Sequence, residues 1–105
     1  MKILLDECVP WPMRHLIASH SCSSVQVLGW SGIRNGDLLE RAEAAFDLFI
    51  TSDQNIRYQQ NLASRSIAIL ELSTNDLRRI QAASALIEAA VENTRPNGVQ
   101  RLDIP

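Results

Sequence analysis

Two short apolar runs of this chain end in an acid: Ile3-Leu4-Leu5-Asp6-Glu7 and Phe49-Ile50-Thr51-Ser52-Asp53-Gln54-Asn55. Each places a carboxylate at the tip of a buried strand, and two neighbouring tips of this kind can hold a hard divalent cation through oxygen ligands. A third acid, Asp37, opens a periodic helical segment, with Glu40 one turn later. Oxygen-rich side chains from separate segments suit Mg²⁺ or Mn²⁺, with waters and a substrate phosphate filling the remaining octahedral positions. Such a cation activates water and neutralises charge on a phosphodiester in transition, so hydrolysis of a nucleic-acid backbone is the chemistry this set fits. Asp6, Asp37 and Asp53 are the candidate catalytic and metal-binding residues, with Glu7, Asn35, Glu40 and Asn55 as auxiliaries.

Each of these residues also has a purely architectural reading. Asp6 and Asp53 can bond nearby backbone amides as loop acids. Asn35 can cap a helix or close an Asx turn, and Asp37 is electrostatically welcome in a first helical turn without any metal. Glu7 can simply face solvent.

The elements that would position these groups follow from periodicity. Ile3 to Leu5 reads as a buried strand, and Pro10 and Pro12 introduce a helix through Trp11, Leu16 and Ile17. Ser21 to Ser24 reads as a polar turn and Ser24 to Leu28 as a second strand, followed by a Gly-rich loop through Gly36. Asp37 to Ala45 is helical, with Leu38, Leu39, Ala42 and Ala45 on one stripe. Asp47 to Thr51 is the third strand, Ile56 to Leu62 a short polar helix or turn, and Ser66 to Leu70 a fourth strand buried on both faces. A final helix carries the stripe Leu77, Ile80, Ala83, Ile87 and Val91; Ser73 or Thr74 can cap it, and Pro96-Asn97-Gly98 stops it. Val99 to Ile104 alternates as an edge strand. Strands alternating with helices predict an α/β fold: a single three-layer α/β/α domain over residues 1–105, with a mainly parallel sheet of four to five strands. Ligands of such sheets gather beyond the carboxyl ends of the strands, at the switch point. If strand one lies between strands two and three, Asp6 and Asp53 emerge there side by side.

Composition narrows the partners. With 105 residues and 46% hydrophobic content the chain has enough apolar material for one small core. Its apolar runs are far shorter than a bilayer helix needs and no targeting segment is visible, so the expectation is a cytoplasmic protein without membrane contact. Cys8 and Cys22 are too far apart for a CxxC motif and read as reduced structural thiols; His15 and His20 sit where a histidine complements a helix end. The net charge of -2 speaks against a strong global field for nucleic acid, leaving local patches to hold it. Lys2 is the only lysine, so the basic set is arginine, whose planar fork suits phosphates. Arg34 and Arg57, with the amides and ring of the Tyr58-Gln59-Gln60-Asn61 tract, are the candidate substrate contacts, the tract having the chemistry that reads unpaired RNA bases. Loop ordering is its alternative role. Trp11 and Trp30 read as packing residues. A phospho-receiver mechanism would use Asp6, Glu7 and Asp53 but resembles one needing a late lysine, and a haloacid-dehalogenase phosphatase would show D-x-D where this chain has Asp6-Glu7-Cys8.

Taken together, Leu4-Leu5-Asp6-Glu7 with Pro10, Asn35-x-Asp37-Leu38-Leu39 with Ala42, and Thr51-x-Asp53-x-Asn55 resemble the small PIN-like nuclease family known as DUF5615, itself similar to the PIN-domain toxin ribonucleases. The Tyr58-Gln59-Gln60-Asn61-Leu62 tract is similar to one branch of that family. The resemblance covers about the first two-thirds of the chain and implies a PIN-like fold and a Mg²⁺- or Mn²⁺-dependent ribonuclease using Asp6, Asp37 and Asp53. It also implies the toxin role of a toxin–antitoxin pair, with a small antitoxin protein as partner and a homodimer as the assembly. The chain departs from the family at Asn35, often aspartate, and at Asn55-Ile56, often aspartate and phenylalanine. An amide still offers a carbonyl oxygen but removes negative charge from the site. The competing expectation is a catalytically silent PIN-like module that binds a protein partner.

Overall fold

The computed structural model describes residues 1–54, 56 and 65–105, without the side chain of Asn35. Five strands form one sheet: β1 (Lys2–Leu5), β2 (Ser21–Ser24), β3 (Leu48–Thr51), β4 (Ala68–Leu72) and β5 (Val99–Leu102). Their order is β2-β1-β3-β4-β5 and every pairing is parallel. β1, β3 and β4 are interior, predominantly apolar and buried on both faces, as strands of a covered parallel sheet are. The sheet is the expected α/β sheet, with strand one between strands two and three.

Alternation along the strands divides the core in two. Ile3, Leu5, Leu48, Ile50, Leu70 and Leu72 point to one face, where a 3₁₀ helix (Trp11–Ile17) and the helices α2 (Leu77–Ala82) and α3 (Ser84–Glu92) cover them. Leu4, Phe49 and Ile69 point to the other face, beneath Leu38, Leu39 and Ala42 of α1 (Asn35–Glu43) and beside Ile56. The connections β1→β2 and β4→β5 cross the same face while running in opposite directions. They therefore have opposite hands, and one departs from the usual right-handed crossover. The 3₁₀ helix and the α2–α3 pair end up side by side as a result.

Three expectations need correction. The second strand is Ser21–Ser24, the segment read as a turn, while 25–29 forms turns in which Leu28 N–H bonds Ser24 O and Gly29 N–H bonds Gln26 O. Pairing with β1 decides this, because Lys2 to Leu5 is matched one for one by Ser21 to Ser24. The helix read as one is two, broken at Ala83 (φ -101°, ψ 23°), although the stripe Ile80, Ala83, Ile87 and Val91 stays buried throughout. Its cap is neither Ser73 nor Thr74 but Asp76, whose side chain accepts from the amides of Arg78 and Arg79. The expected helix or turn over 56–62 falls almost wholly outside the described residues, as do Asn55, Arg57, Tyr58 and Gln59.

Candidate functional site

The sheet order puts the ends of β1 and β3 next to each other at the point where connections diverge, with β1 leading outward to β2 and β3 to β4. Leu5 pairs with Ile50, so Asp6 and Thr51 come next in line, and the Asp6 amide extends the ladder by donating to Ile50 O at 2.9 Å. Asp6 is only 7% exposed. A carboxylate so buried must be hydrogen-bonded. Its Oδ1 accepts from the Glu7 amide at 2.8 Å, and its Oδ2 accepts from the Thr51 hydroxyl at 2.7 Å. The Cys8 thiol lies 3.5 Å from the same Oδ2 and 3.6 Å from Thr51 Oγ1.

Thr51 joins the two acids. Fully buried, its hydroxyl donates to Asp6 and accepts from the Asp53 amide at 3.0 Å, so one oxygen fixes the carboxylate of β1 and the turn carrying Asp53. The turn is tied further by Ser52 Oγ donating to Cys8 O at 3.4 Å and Gln54 Nε2 donating to Ser73 O at 3.4 Å. Asp53 itself is half-buried.

A carboxylate oxygen has two lone pairs. On Asp6, Oδ2 faces two donors while Oδ1 faces one, which leaves Oδ1 the atom with room for a cation. Mg²⁺ is commonly bound by one or two carboxylates with waters, and Asp6 Oδ1 is an oxygen that could serve as one such ligand. Among the described residues, no group of three or more His, Cys, Asp and Glu side chains is close enough to hold a metal. Asp37 and Glu40 are exposed and line an open groove on α1 together with Gly32, Ile33, Arg34 and Arg41. Glu7 is exposed, with Gln26 Nε2 donating to its backbone carbonyl. Asn35 is the first residue of α1 and not its cap, which is Arg34. Trp11 and Trp30 pack against the two cores, Trp30 meeting Phe46 edge-on at 6.4 Å.

Sequence reasoning missed Glu71. It is 2% exposed, follows the apolar run Ala68-Ile69-Leu70, and sits beside Thr51 in the register of β3 and β4. The signal was the one already used for Asp6 and Asp53, a buried strand running into an acid. Glu71 Oε2 accepts from Arg101 Nη1 on β5, and Arg101 Nε donates to Asp103 Oδ1 at 3.0 Å. These bonds, that to Glu71 foremost, raise the pKa of the guanidinium above its ordinary value. No family model matches this chain, and neither a curated protein nor a solved structure shows significant similarity to it.

Proposed function

We propose that this chain is a metal-dependent endoribonuclease of the PIN-like kind, in which Asp6 and Asp53 hold Mg²⁺ or Mn²⁺. The observation that carries the reading is the Asp6–Thr51–Asp53 linkage at the switch point of the parallel sheet. The cation would polarise a phosphoryl oxygen and lower the pKa of a bound water. Thr51 holds the Asp6 carboxylate in one orientation, the Glu7 amide fixes its other oxygen, and the Asp53 turn is anchored to the same hydroxyl. Asp37, in the first turn of α1, is the third acid of this reading and acts through metal-bound water, since Mg²⁺ retains several waters when few carboxylates reach it. Asn35, Asn55, Glu7 and Glu40 are its auxiliaries, and Arg34, Arg57, Tyr58 and Gln59 its RNA contacts. Among the described residues no helix is long and apolar enough to cross a membrane, and a cytoplasmic ribonuclease is the form proposed.

The test is RNA cleavage and thermal unfolding with and without Mg²⁺ or Mn²⁺, for wild type, Asp6→Asn and Asp53→Asn. Cleavage should require metal and fall about 100-fold or more in each variant, in line with losing one electrostatic stabiliser. Metal should raise the melting temperature of wild type only. Undiminished cleavage in both variants would show the site to be elsewhere.

A second reading has its own observation. The segment between β2 and α1 exposes Val27 (72%) and Leu28 (37%) beside the half-buried Trp30 and Ile33. Apolar side chains on one loop favour a catalytically silent module docking a small protein, such as an antitoxin or a second copy of the chain. Metal-independent stability together with no cleavage by wild type would select it.

A further inference from the structure

The row of residues that carries Asp6 and Thr51 continues to the far edge of the sheet. Thr51 pairs with Glu71 and Glu71 with Arg101. Alternation along the strands puts all four side chains on the face covered by α1. Glu71 interrupts what would be an uninterrupted apolar strand, and the ion pair it forms with Arg101 joins a buried carboxylate to a partly exposed guanidinium. Its outer member has a particular geometry: two N–H donors of Arg101, on Nε and Nη1, are held by Asp103 and Glu71, while Nη2 makes no hydrogen bond with the described residues. The side chain is 35% exposed. With Nε on Asp103 and Nη1 on Glu71, the guanidinium is held in one orientation and Nη2 is the nitrogen left to a ligand among the described residues, so the rotamer freedom that phosphate binding would otherwise cost is already lost. β5 lies two strand spacings from β3, so Arg101 stands about 10 Å from Thr51 along the carboxyl ends.

We propose that Arg101, oriented by the buried Glu71, binds a phosphate of single-stranded RNA a short way along the strand from the phosphodiester held at Asp6 and Asp53. The inference rests on the ribonuclease reading for its substrate. It adds a direction, because the RNA then runs across the tips of β1, β3, β4 and β5.

The informative variant is the pair Glu71→Gln with Arg101→Gln. It removes one negative and one positive charge, so the net charge of -2 is unchanged and any loss of binding is local. Affinity for a fluorescent single-stranded RNA oligonucleotide, read by anisotropy in EDTA, should fall about tenfold, the scale of one charge-assisted contact. In cleavage assays with Mg²⁺ the same variant should raise KM with kcat nearly unchanged, whereas Asp6→Asn and Asp53→Asn should lower kcat. Should the double variant not fold, Arg101→Lys with Glu71 retained keeps a cation beside Glu71 but has no second donor group like Nη2 to offer, and it should still weaken binding. Wild-type KM and affinity in a folded variant would overturn the role of Arg101 and leave the ribonuclease reading standing. RNA binding that depends on Arg101 without any cleavage would do the reverse. If wild type does not bind the oligonucleotide, both are overturned.

Discussion

Thr51 shows how much one hydroxyl can organise. It is fully buried, donates to Asp6 and accepts from the amide of Asp53. Thr51→Val keeps the shape and removes both bonds, leaving a buried carboxylate oxygen and an amide short of partners, at a cost of about 1–3 kcal/mol by urea denaturation. Thr51→Ser should recover most of that loss, and equal losses in the two variants would place the effect in packing rather than in the hydroxyl. Cys22 provides a pH test. Burial raises its pKa above the ordinary thiol value, so the folded state keeps a proton that the unfolded state releases first. Its contribution is intact below the unfolded pKa and is lost as pH rises through the folded one. Stability should decline across that alkaline window, and Cys22→Ala should flatten that part of the profile in chemical denaturation at stepped pH. At this scale the placement of Asp6 and Asp53 at strand ends was legible, because an acid after an apolar run is visible without knowing strand order. Glu71 carried the same signal but lay hidden behind a strand end placed at Leu70, two residues short of the observed Leu72. The exposure of Asp37 could not be read from its spacing, since first-turn acids face a site or solvent according to how the helix is rotated.

Among the elements, hydrophobic pattern succeeded where both faces are covered and failed at the margin. β1, β3 and β4 each carry an apolar run buried on both faces and were located to within two residues at either end. β2 is an edge strand of serines and one cysteine, made a strand by β1 alone, while Val25, Val27 and Leu28 alternated convincingly in a stretch that forms turns. Ser21–Ser24 offers neither an apolar run nor an alternating pattern from which a strand could be read. The α2–α3 break is equally silent, because Ile80, Ala83, Ile87 and Val91 keep helical spacing across it, and nothing in the structure explains it. What can be tested is the start of α2. Asp76→Ala removes the acceptor for the Arg78 and Arg79 amides and should cost about 1 kcal/mol, measured as a lower denaturation midpoint with an unchanged m-value. A loss within error of zero would mean that the cap is replaced by water.

For the molecule as a whole, one sheet serves two cores. Leu4 and Phe49 belong to the layer under α1, while their neighbours Leu5 and Ile50 belong to the layer under the 3₁₀ helix and α2–α3. Neither layer can lose its strands without the other losing them too, so the two cores should unfold in one transition. The chain carries a reporter for each layer, since Trp11 packs against the first core and Trp30 against the second. Trp11→Phe leaves Trp30 to report on the α1 side, and Trp30→Phe leaves Trp11 to report on the opposite one. In each variant, tryptophan fluorescence should give the same guanidinium midpoint as far-UV circular dichroism, which follows the whole fold. Phe49→Ala, truncating a fully buried ring on the α1 side, should destabilise by about 3–5 kcal/mol and lower the midpoint reported by Trp11 as much as that reported by Trp30. If Trp11 kept its original midpoint while Trp30 shifted, the layers would be separable. The Asp6–Thr51–Asp53 linkage would then rest on only part of the molecule's stability, because Asp6, Thr51 and Glu71 all lie on the α1 side of the sheet.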